Sequence, residues 1–400
     1  MNFKNIDLLI LAGGRGSRIK NITNEIPKPL IKFNKKPILS FILQHVSKYN
    51  FNKIFILTSY KSQKIFKKYH NKFYNFTKIV CFKEKKRLGT WGAIFNIRKK
   101  IQRKFIVING DTIFNSRLEN LLKFKFKKED MVMFISNNHS YKENNKLNSL
   151  KLNKQNNVIL SKSSKFINSG QYYLSKKLLN KKNANKSSIE NEIIPQLIEK
   201  KKIKGIIENK EIIDIGTRKN LIYAKKNISK ITLKPAVFFD RDGVINYDYG
   251  HVSKFKDFKF KPGIIKTLKY LSKKNLYIFI ITNQAGIAKG MYNETDFFVL
   301  HKKIKEYLVN KRIFINDVKY SPYHPKAIIK KYRKNSKLRK PGNLMIENLF
   351  SEYNIIRKKS FMIGDSLTDK FAAKKSNLYF NFPNKNIYSQ IKIICNKLKI

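Results

Sequence analysis

Two carboxylates, Asp240 and Asp242, directly follow a short apolar run, residues 236–239, near the middle of the 400-residue chain. A short β-prone run that ends at Asp and Gly is typical of a central parallel strand, which delivers side chains to the ligand-binding edge of an open α/β sheet. Because the two acids alternate along the backbone, one can attack a phosphorus atom while the other handles the proton of the leaving group. The pair is therefore a candidate for phosphoryl chemistry.

Further polar residues follow or flank later apolar runs in the same half of the chain. They are Thr282 and Asn283 after residues 277–281, Arg339 and Lys340 before Pro341, and Asp365 and Asp369 after residues 360–363. This order resembles the haloacid dehalogenase superfamily of phosphatases and extends over residues 235–390. The resemblance implies that Asp240 is a nucleophile that forms an aspartyl-phosphate, and that Asp242 is the general acid and base.

The same resemblance implies a metal site and a phosphate site. Asp240, Asp365 and the main-chain carbonyl of Asp242 would hold Mg²⁺, since oxygen ligands suit this hard ion. Thr282 and Lys340 would bind the phosphate oxygens. The full set that it assigns to the substrate is Thr282, Asn283, Arg339 and Lys340.

Within the superfamily, residues 240–246 and 282–290 are similar to the branch that contains heptose 1,7-bisphosphate phosphatase, histidinol phosphatase and polynucleotide 3′-phosphatases. That branch usually carries a zinc loop of Cys and His ligands. The corresponding positions here are Ser321, Tyr323, Ser336 and Leu338. Structural zinc needs about four thiolate or imidazole ligands, so we expect no zinc.

A glycine-rich turn follows the first apolar run of the chain and contains Gly13, Gly14, Arg15 and Gly16. Glycines let backbone N–H groups approach a triphosphate closely, and Arg15 adds fixed positive charge. Together with the downstream Pro-Lys-Pro, the turn resembles the signature of the sugar-1-phosphate nucleotidyltransferases. The resemblance places Lys28 beside the phosphates.

The likeness to these transferases extends over residues 5–225 and implies roles for further positions. They are Gly89 against the nucleotide base, Asp111 and Asp214 on a catalytic Mg²⁺, Lys162 on the sugar phosphate and Asn168 near the sugar. Two carboxylates around Mg²⁺ suit an in-line attack on an α-phosphorus. Ser161 stands where the family usually has Glu, and residues 188–192 resemble its Ser-x-Glu segment.

The elements that must position these residues alternate between apolar strands and amphipathic helices. This alternation predicts an α/β chain with two doubly wound, Rossmann-like domains, a nucleotidyltransferase fold followed by a haloacid dehalogenase-like fold. We expect domains at residues 1–226 and 235–400, joined by a basic linker at 227–234. Residues 137–156, rich in Asn and Lys, are expected to form a flexible surface excursion.

Composition narrows the class of protein. The net charge of +60 is spread over both halves among residues with A- and T-rich codons. Genome composition therefore explains it better than a specific nucleic-acid partner, although weak binding to polyanions at low salt is the alternative. Two cysteines without ligand-like spacing fit a reducing cytoplasm. No apolar run approaches the ~18 residues that span a bilayer.

The two resemblances together imply one pathway, in which a phosphatase removes the 7-phosphate of a heptose 1,7-bisphosphate and a transferase activates the 1-phosphate. The first half most resembles the heptose 1-phosphate guanylyltransferase type, which implies GTP as the nucleotide and a surface polysaccharide as the destination. One alternative is another sugar 1-phosphate with a histidinol-phosphate-like phosphatase. The other is a nucleic-acid 3′-phosphatase or binding protein, against which the chain has no P-loop kinase motif and no aromatic RNA-binding motif.

Overall fold

The computed structural model describes residues 3–19, 23–137, 149–161, 163–180 and 187–400. The chain divides into two compact units, Met1–Val46 with Phe51–Ile231, and Ser47–Asn50 with Thr232–Ile400. Each unit is built from an α/β sheet, which confirms the predicted fold class. That residues 1–226 and 235–400 fold as independent domains stays a prediction.

The first unit contains most of the strands. They are β1 (Ile6–Leu11), β2 (Lys32–Phe33), β3 (Lys36–Pro37), β4 (Ile54–Thr58), β5 (Phe73–Tyr74), β6 (Thr77–Lys83), β7 (Lys104–Asn109), β8 (Thr112–Phe114), β9 (Met131–Ser136), β10 (Ser149–Leu152), β11 (Val158–Leu160), β12 (Phe166–Ser175), β13 (Ile203–Ile207) and β14 (Ile212–Asp214). Its α-helices are α1 (Ile38–Ser47), α2 (Ser62–Tyr69), α3 (Gly89–Asn96), α4 (Ile194–Glu199) and α5 (Arg218–Thr232). A π-helical turn, Ile189–Ile193, precedes α4.

In the described residues, ten of these strands form one sheet in the order β11, β10, β12, β7, β1, β4, β6 and β5, with β9 joining β12 to β13. Strand β1 pairs in parallel with β4 on one side and β7 on the other. The strand order therefore reverses beside β1, and such a switch point is where open α/β sheets bind ligands. The glycine-rich turn leaves β1 there, and Gly110 after β7 donates its N–H to Leu11 O at 2.9 Å.

The second unit contains β15 (Ala236–Phe239), β16 (Tyr277–Asn283), β17 (Asp317–Ser321), β18 (Phe361–Ile363) and β19 (Tyr379–Asn381). Its helices are α6 (Ile264–Leu271), α7 (Ala285–Ala288), α8 (Glu294–Asn310), α9 (Leu344–Glu352), α10 (Leu367–Lys375) and α11 (Ile387–Lys397). The strands form a parallel sheet in the order β17, β16, β15, β18 and β19. Strand order reverses between β15 and β18, whose carboxyl ends carry Asp240 and Asp365.

Strand β15 shows why this sheet is buried on both faces. Val237 and Phe239 pack into one hydrophobic cluster, whereas Ala236 and Phe238 pack into another on the opposite face. All four side chains are fully buried. Alternate residues of a strand point to opposite faces, so a continuous apolar run fits a central strand covered by helices on both sides.

Two expectations from the sequence need correction. Helix α5 continues to Thr232, through most of the predicted linker, because Ile228 and Ile231 extend its buried stripe beyond residue 226. Part of the predicted flexible excursion is strand β10, in which Leu150 is buried and pairs with β11 and β12. Residues 138–148 of that excursion lie outside the described residues.

No helix among the described residues is both long enough and apolar enough to cross a membrane.

Candidate active sites

A cavity of about 830 Å³ lies beside the end of β7 in the first unit. Of the residues predicted to act in this half, Gly16, Lys28, Asp111, Asn168 and Asp214 line it. The structure therefore brings together the predicted lysine, both predicted acids and the predicted sugar contact. Lys162 lies outside the described residues.

The other predicted residues of this half that the structure describes are not among the residues that line the cavity. Gly13, Gly14 and Arg15 form the turn after β1, and Gly14 and Arg15 are exposed. Gly89 begins α3 with a φ of +77°, and a Cβ there would lie 2.2 Å from Ser187 O. Glycine is needed at position 89 because the turn packs directly on the backbone of another segment.

The two acids predicted to hold a metal are adjacent. Strand β14 pairs antiparallel with β8 so that Asp214 lies opposite Thr112, the neighbour of Asp111. Between these acids lies Lys28, which is buried, forms an ion pair with Asp111 and has its Nζ 4.0 Å from Asp214 Oδ1. The arrangement offers carboxylate oxygens, the ligands that a hard cation prefers, and one ammonium that can pair with a phosphate.

Sequence reasoning gave no role to Glu190, which lines the same cavity. It lies in the π-helical turn, near Asn168, whose Nδ2 donates to the Tyr172 hydroxyl at 2.8 Å. The Ser-x-Glu pattern marks this segment, but only the fold places the Glu190 carboxylate in the cavity.

The second unit has a cavity of about 400 Å³ at the ends of β15, β16 and β18. Every residue predicted to act in this half lines it, namely Asp240, Asp242, Thr282, Asn283, Arg339, Lys340 and Asp365. Four separate segments of the sequence therefore meet at one edge of the sheet, as the order of the motifs predicted.

The centre of this site is a cluster of three acids and one lysine, in which Asp240, Asp369 and Lys340 are buried and Asp365 is exposed. Lys340 Nζ lies 2.7 Å from Asp240 Oδ1 and 2.5 Å from Asp369 Oδ1. Carboxylate oxygens of Asp240, Asp365 and Asp369 all lie within 4.8 Å of one another. Burial raises the pKa of Asp240 to about 7, although the Lys340 ammonium opposes this shift. Burial and then Asp369 raise the pKa of Asp365.

Asp369 is the residue of this cluster to which sequence reasoning gave no role. The sequence signal that could have found it is the spacing Ser366-x-x-Asp369, which is typical of a capping box at the start of a helix. Asp369 belongs to the capping box of α10, in which Ser366 N donates to its Oδ2 at 3.2 Å. It therefore joins the acidic cluster to the start of a helix.

The Asp242 carboxylate is held by nitrogen donors on both of its oxygens. The Arg241 guanidinium lies 2.8 to 3.0 Å from Oδ1 and Oδ2. Asn246 donates to Oδ1 and Gln284 to Oδ2, each at 3.0 Å. The Asp242 carboxylate does not belong to the cluster formed by Asp240, Asp365 and Asp369. Metal binding by the main-chain carbonyl of Asp242 stays a prediction.

Asn283 has a positioning contact as well as a place in the cavity. Its Nδ2 donates to Lys340 O at 3.1 Å, and its Oδ1 accepts from Lys340 N at 3.0 Å. This pair of hydrogen bonds fixes the backbone at Lys340 to the end of β16. Thr282, by contrast, is buried beside the cavity and its Oγ1 accepts from Gln284 Nε2 at 2.8 Å.

Replacing Gly243 with Ala is expected to lower phosphatase activity by about 100-fold or more. A Cβ at this position would lie 1.6 Å from Asp365 Oδ2, so the carboxylate must move. Gly263 is the matched control, because its φ is +77° against +78° for Gly243, it is not among the cavity-lining residues, and its Cβ would meet only Ile387 Cγ2 at 3.4 Å. Steady-state phosphate release by both variants checks this. Equal losses in both variants would assign the effect to backbone strain.

The loop that resembles a zinc-binding segment is held by hydrogen bonds in this structure. Glu294 accepts from the Tyr320 hydroxyl at 2.5 Å and from the Tyr332 hydroxyl at 2.6 Å. The Lys334 ammonium lies 4.0 Å from the centre of the Tyr323 ring. Hydroxyl and aromatic contacts therefore link the two sides of the loop.

We expect the purified protein to contain no stoichiometric zinc. Ser321, Tyr323, Ser336 and Leu338 supply neither thiolate nor imidazole at the positions concerned, and structural zinc sites use about four such ligands. Elemental analysis after dialysis checks this. One zinc per chain would contradict it, whereas a trace that a brief chelator wash removes would not.

Comparison with known proteins follows the division of the chain. Residues 8–231 match the family model described as nucleotidyl transferase. Residues 235–386 match the model described as polynucleotide kinase 3 phosphatase.

Named relatives match the phosphatase side. The chain is 38% identical over 155 residues to the D-glycero-beta-D-manno-heptose-1,7-bisphosphate 7-phosphatase of Rhodopseudomonas palustris, covering 38% of this chain and 86% of that protein. It is 39% identical over 139 residues to the protein of the same name from Photorhabdus laumondii, covering 35% and 74%.

Among solved structures, HddC from Yersinia pseudotuberculosis complexed with GMP-PN is 28% identical with a TM-score of 0.47, covering 56% of this chain and 99% of that one. The family membership of the chain rests on the two family models and the two phosphatases, and not on this structural likeness. The chain is therefore a member of the nucleotidyl transferase family that also belongs, through a second catalytic unit, to the phosphatase family of the Rhodopseudomonas palustris protein.

Proposed function

We propose that the second unit hydrolyses the 7-phosphate of a heptose 1,7-bisphosphate, and that the first unit then couples the heptose 1-phosphate to a nucleotide. The observation that carries the proposal is the presence of both sites in one chain whose phosphatase relatives bear the name of this bisphosphate. GTP is the proposed nucleotide, by the resemblance of the first half to guanylyltransferases. The product would be a nucleotide-activated heptose, made in the cytoplasm for surface polysaccharide.

In the proposed hydrolysis, an Asp240 oxygen attacks the phosphorus and forms an aspartyl-phosphate while the bond from phosphorus to the sugar oxygen breaks. Asp242 gives a proton to the departing oxygen, and then accepts a proton from the water that releases phosphate. Lys340 and Thr282 border the cavity where the phosphate oxygens would lie. Lys340 is nearly fully buried, so its charge acts on the phosphate with little screening.

The carboxylates of the second unit fit a hard divalent cation, because three of them lie within reach of one ion and raise the local negative charge. We propose Mg²⁺, held by Asp240 and Asp365 with Asp369 beside them. Such an ion would offset the charge of the phosphate and the acids.

In the proposed transfer, an oxygen of the sugar 1-phosphate attacks the α-phosphorus of the nucleoside triphosphate, and pyrophosphate leaves. Lys28 is placed by its ion pair with Asp111 to meet the charge that develops on the phosphates. Asp111 and Asp214 would hold a second Mg²⁺, since they are adjacent and partly exposed to the cavity. The glycine-rich turn and Arg15 would take the triphosphate.

The proposal is tested by incubating the purified protein with heptose 1,7-bisphosphate, Mg²⁺ and each of the common nucleoside triphosphates in turn, and identifying the products by mass spectrometry. GDP-heptose, pyrophosphate and phosphate are expected. Mannose 1-phosphate and histidinol phosphate are the comparison substrates. Faster turnover of either would overturn the choice of sugar or of phosphatase substrate.

Dephosphorylation is expected to precede transfer, so that nucleotide-sugar appears only after a lag when the bisphosphate is the starting material. A second phosphate adds roughly two negative charges. The described lining of the first cavity has two basic side chains, Arg18 and Lys28, against the three acids Asp111, Glu190 and Asp214. Burying another phosphate there without a cation would cost several kcal/mol.

A time course that starts from bisphosphate, and one that starts from heptose 1-phosphate, check this order. The lag should be absent in the second. A nucleotide-heptose that still bears its 7-phosphate would show that the order is wrong.

A further inference from the structure

Glu190 presents an acidic side chain to the cavity of the first unit, which the ion pair of Lys28 and Asp111 also lines. It lies in the π-helical turn, Ile189–Ile193, and lines the same cavity as Asn168. The proposed transfer must also hold the uncharged sugar part of the sugar 1-phosphate. Neither the glycine-rich turn nor the proposed metal ligands would contact that part. A carboxylate at this place is available for that purpose.

Two hydroxyl groups donate to Glu190, and the Tyr172 hydroxyl lies near it. Its Oε2 accepts from the Thr90 hydroxyl at 3.1 Å and from the Ser188 hydroxyl at 3.0 Å. The Tyr172 hydroxyl lies beneath, fully buried, and its pKa is raised first by burial and then by the Glu190 carboxylate. Because that hydroxyl also accepts from Asn168 Nδ2, the acid and the predicted sugar contact belong to one network.

This network leaves acceptor capacity on the side chain. The Thr90 and Ser188 bonds both fall on Oε2, and Oε1 takes neither of them. An ionised carboxylate oxygen offers about two acceptor positions and no donor. Such a group accepts from sugar hydroxyls and repels phosphate groups.

We propose that Glu190 binds the substrate, accepting hydrogen bonds from hydroxyl groups of the sugar 1-phosphate and so selecting a hydroxylated sugar that carries no further phosphate near it. The inference rests on the proposed transferase function and names a specificity residue for it. The backbone around Glu190 supports a fixed position. Ser188 caps the turn by accepting from Asn191 N at 3.2 Å.

Thr90 is assigned as a positioning residue for Glu190. Its hydroxyl donates to Glu190 and accepts from Ile189 N at 2.8 Å. The backbones also meet, since Ser187 N donates to Leu88 O at 2.8 Å and Trp91 N donates to Ser187 O at 3.1 Å. The turn that begins α3 and the segment that carries Glu190 therefore move as one piece.

The test is the steady-state kinetics of Glu190→Gln and Glu190→Ala, with Glu192→Gln as the matched control. Glu192 belongs to the same turn, but its carboxylate accepts from Ser188 N at 2.9 Å and is exposed. Loss of a charge-assisted hydrogen bond should raise KM for the sugar 1-phosphate by about 10- to 100-fold. KM for the nucleotide should stay unchanged, and Glu192→Gln should behave as wild type.

A second measurement separates substrate contact from a structural effect. Wild type should discriminate between mannose 1-phosphate and its deoxy analogues, and Glu190→Gln should lose most of that discrimination at one hydroxyl position. Thr90→Val should reproduce a weaker form of the same defect, and Thr90→Ser should restore it. Equal losses with every analogue, or a parallel rise in KM for the nucleotide, would overturn the assignment.

This test of Glu190 does not require heptose 1-phosphate to be the substrate. Calorimetric titration of heptose 1-phosphate and mannose 1-phosphate into wild type and Glu190→Gln measures the contact without turnover. If mannose 1-phosphate binds and heptose 1-phosphate does not, the proposed sugar fails while Glu190 is still tested on mannose. If wild type binds a sugar 1-phosphate and Glu190→Gln binds it equally well, the inference about Glu190 fails while the proposed function stands. If wild type binds neither sugar, the proposed function fails and the inference fails with it.

Discussion

Asp240→Asn is expected to lower phosphate release from heptose 1,7-bisphosphate by about 10⁴-fold or more, with nucleotidyl transfer from the 1-phosphate unchanged. The amide cannot attack phosphorus, although it has the shape of the carboxylate. Asp240 lies in the second compact unit, at the end of β15 and within 2.7 Å of Lys340 Nζ. A phosphate-release assay and mass spectrometry of the nucleotide-sugar measure the two activities in one preparation.

The control for this variant is Asp257→Asn, which removes an exposed carboxylate of the same unit. Given bisphosphate and GTP, the Asp240→Asn protein should accumulate neither phosphate nor nucleotide-sugar. Adding a separate active phosphatase should restore the nucleotide-sugar. Parallel loss of both activities on their own substrates would contradict the assignment of two independent sites.

Asp111→Ala should have the converse effect, lowering transfer by about 10³-fold or more while phosphatase activity is kept. The substitution removes one of the two acids proposed to hold a cation and deprives Lys28 of its ion-pair partner. Pyrophosphate release with heptose 1-phosphate and GTP is the measurement. Retained phosphatase activity in the same sample shows that the second unit is folded, and a wild-type circular dichroism spectrum and melting curve would show the same for the first unit.

Two further variants sharpen this second result. Asp130→Ala removes a carboxylate of the first unit that is not among the cavity-lining residues and should leave transfer at the wild-type level. Asp111→Asn keeps the size of the side chain and should still lose most activity, because an amide is a poorer ligand for Mg²⁺. If transfer persists in both Asp111 variants, the metal site has been placed on the wrong acids.

Much of the phosphatase site followed from local sequence signals. An apolar run that ends at Asp240 predicts a buried strand, and the runs before Thr282 and Asp365 do the same. Parallel strands of one sheet present their carboxyl ends at a common edge, so side chains that follow such strands must meet. Five of the seven predicted residues line the cavity for this reason, whereas Arg339 and Lys340 follow no strand and the Asn283 side chain holds the Lys340 backbone there.

Contacts between distant segments could not be predicted in the same way. Thr90 and Glu190 are 100 positions apart, and their hydrogen bond depends on how the turn before α3 packs on residues 187–189. Arg241 is adjacent to Asp242, yet sequence does not tell which way the guanidinium turns. The structure shows it buried, with Nη1 3.3 Å from His301 Nε2.

Errors in the predicted elements also have a physical cause. Asn and Lys enrichment in residues 137–156 predicted a surface excursion, but the alternation of Leu150 and Leu152 with polar residues is a strand pattern of period two. The basic composition of residues 227–234 predicted a linker, but Ile228 and Ile231 continue the buried stripe of α5 into it. Buried residues recur every three to four positions in α5, and this periodicity indicates the extent of the helix better than composition does.

The double use of Asp369 constrains how this site can change by mutation. One of its oxygens, Oδ2, accepts from the backbone N–H and the hydroxyl of Ser366 at the start of α10, while Oδ1 pairs with Lys340. A single substitution there alters the helix start, the place of the lysine and the charge of the acidic cluster together. The effects of substitutions at Ser366, Lys340 and Asp369 should therefore be non-additive. Evolution would alter this part of the site through coordinated replacements.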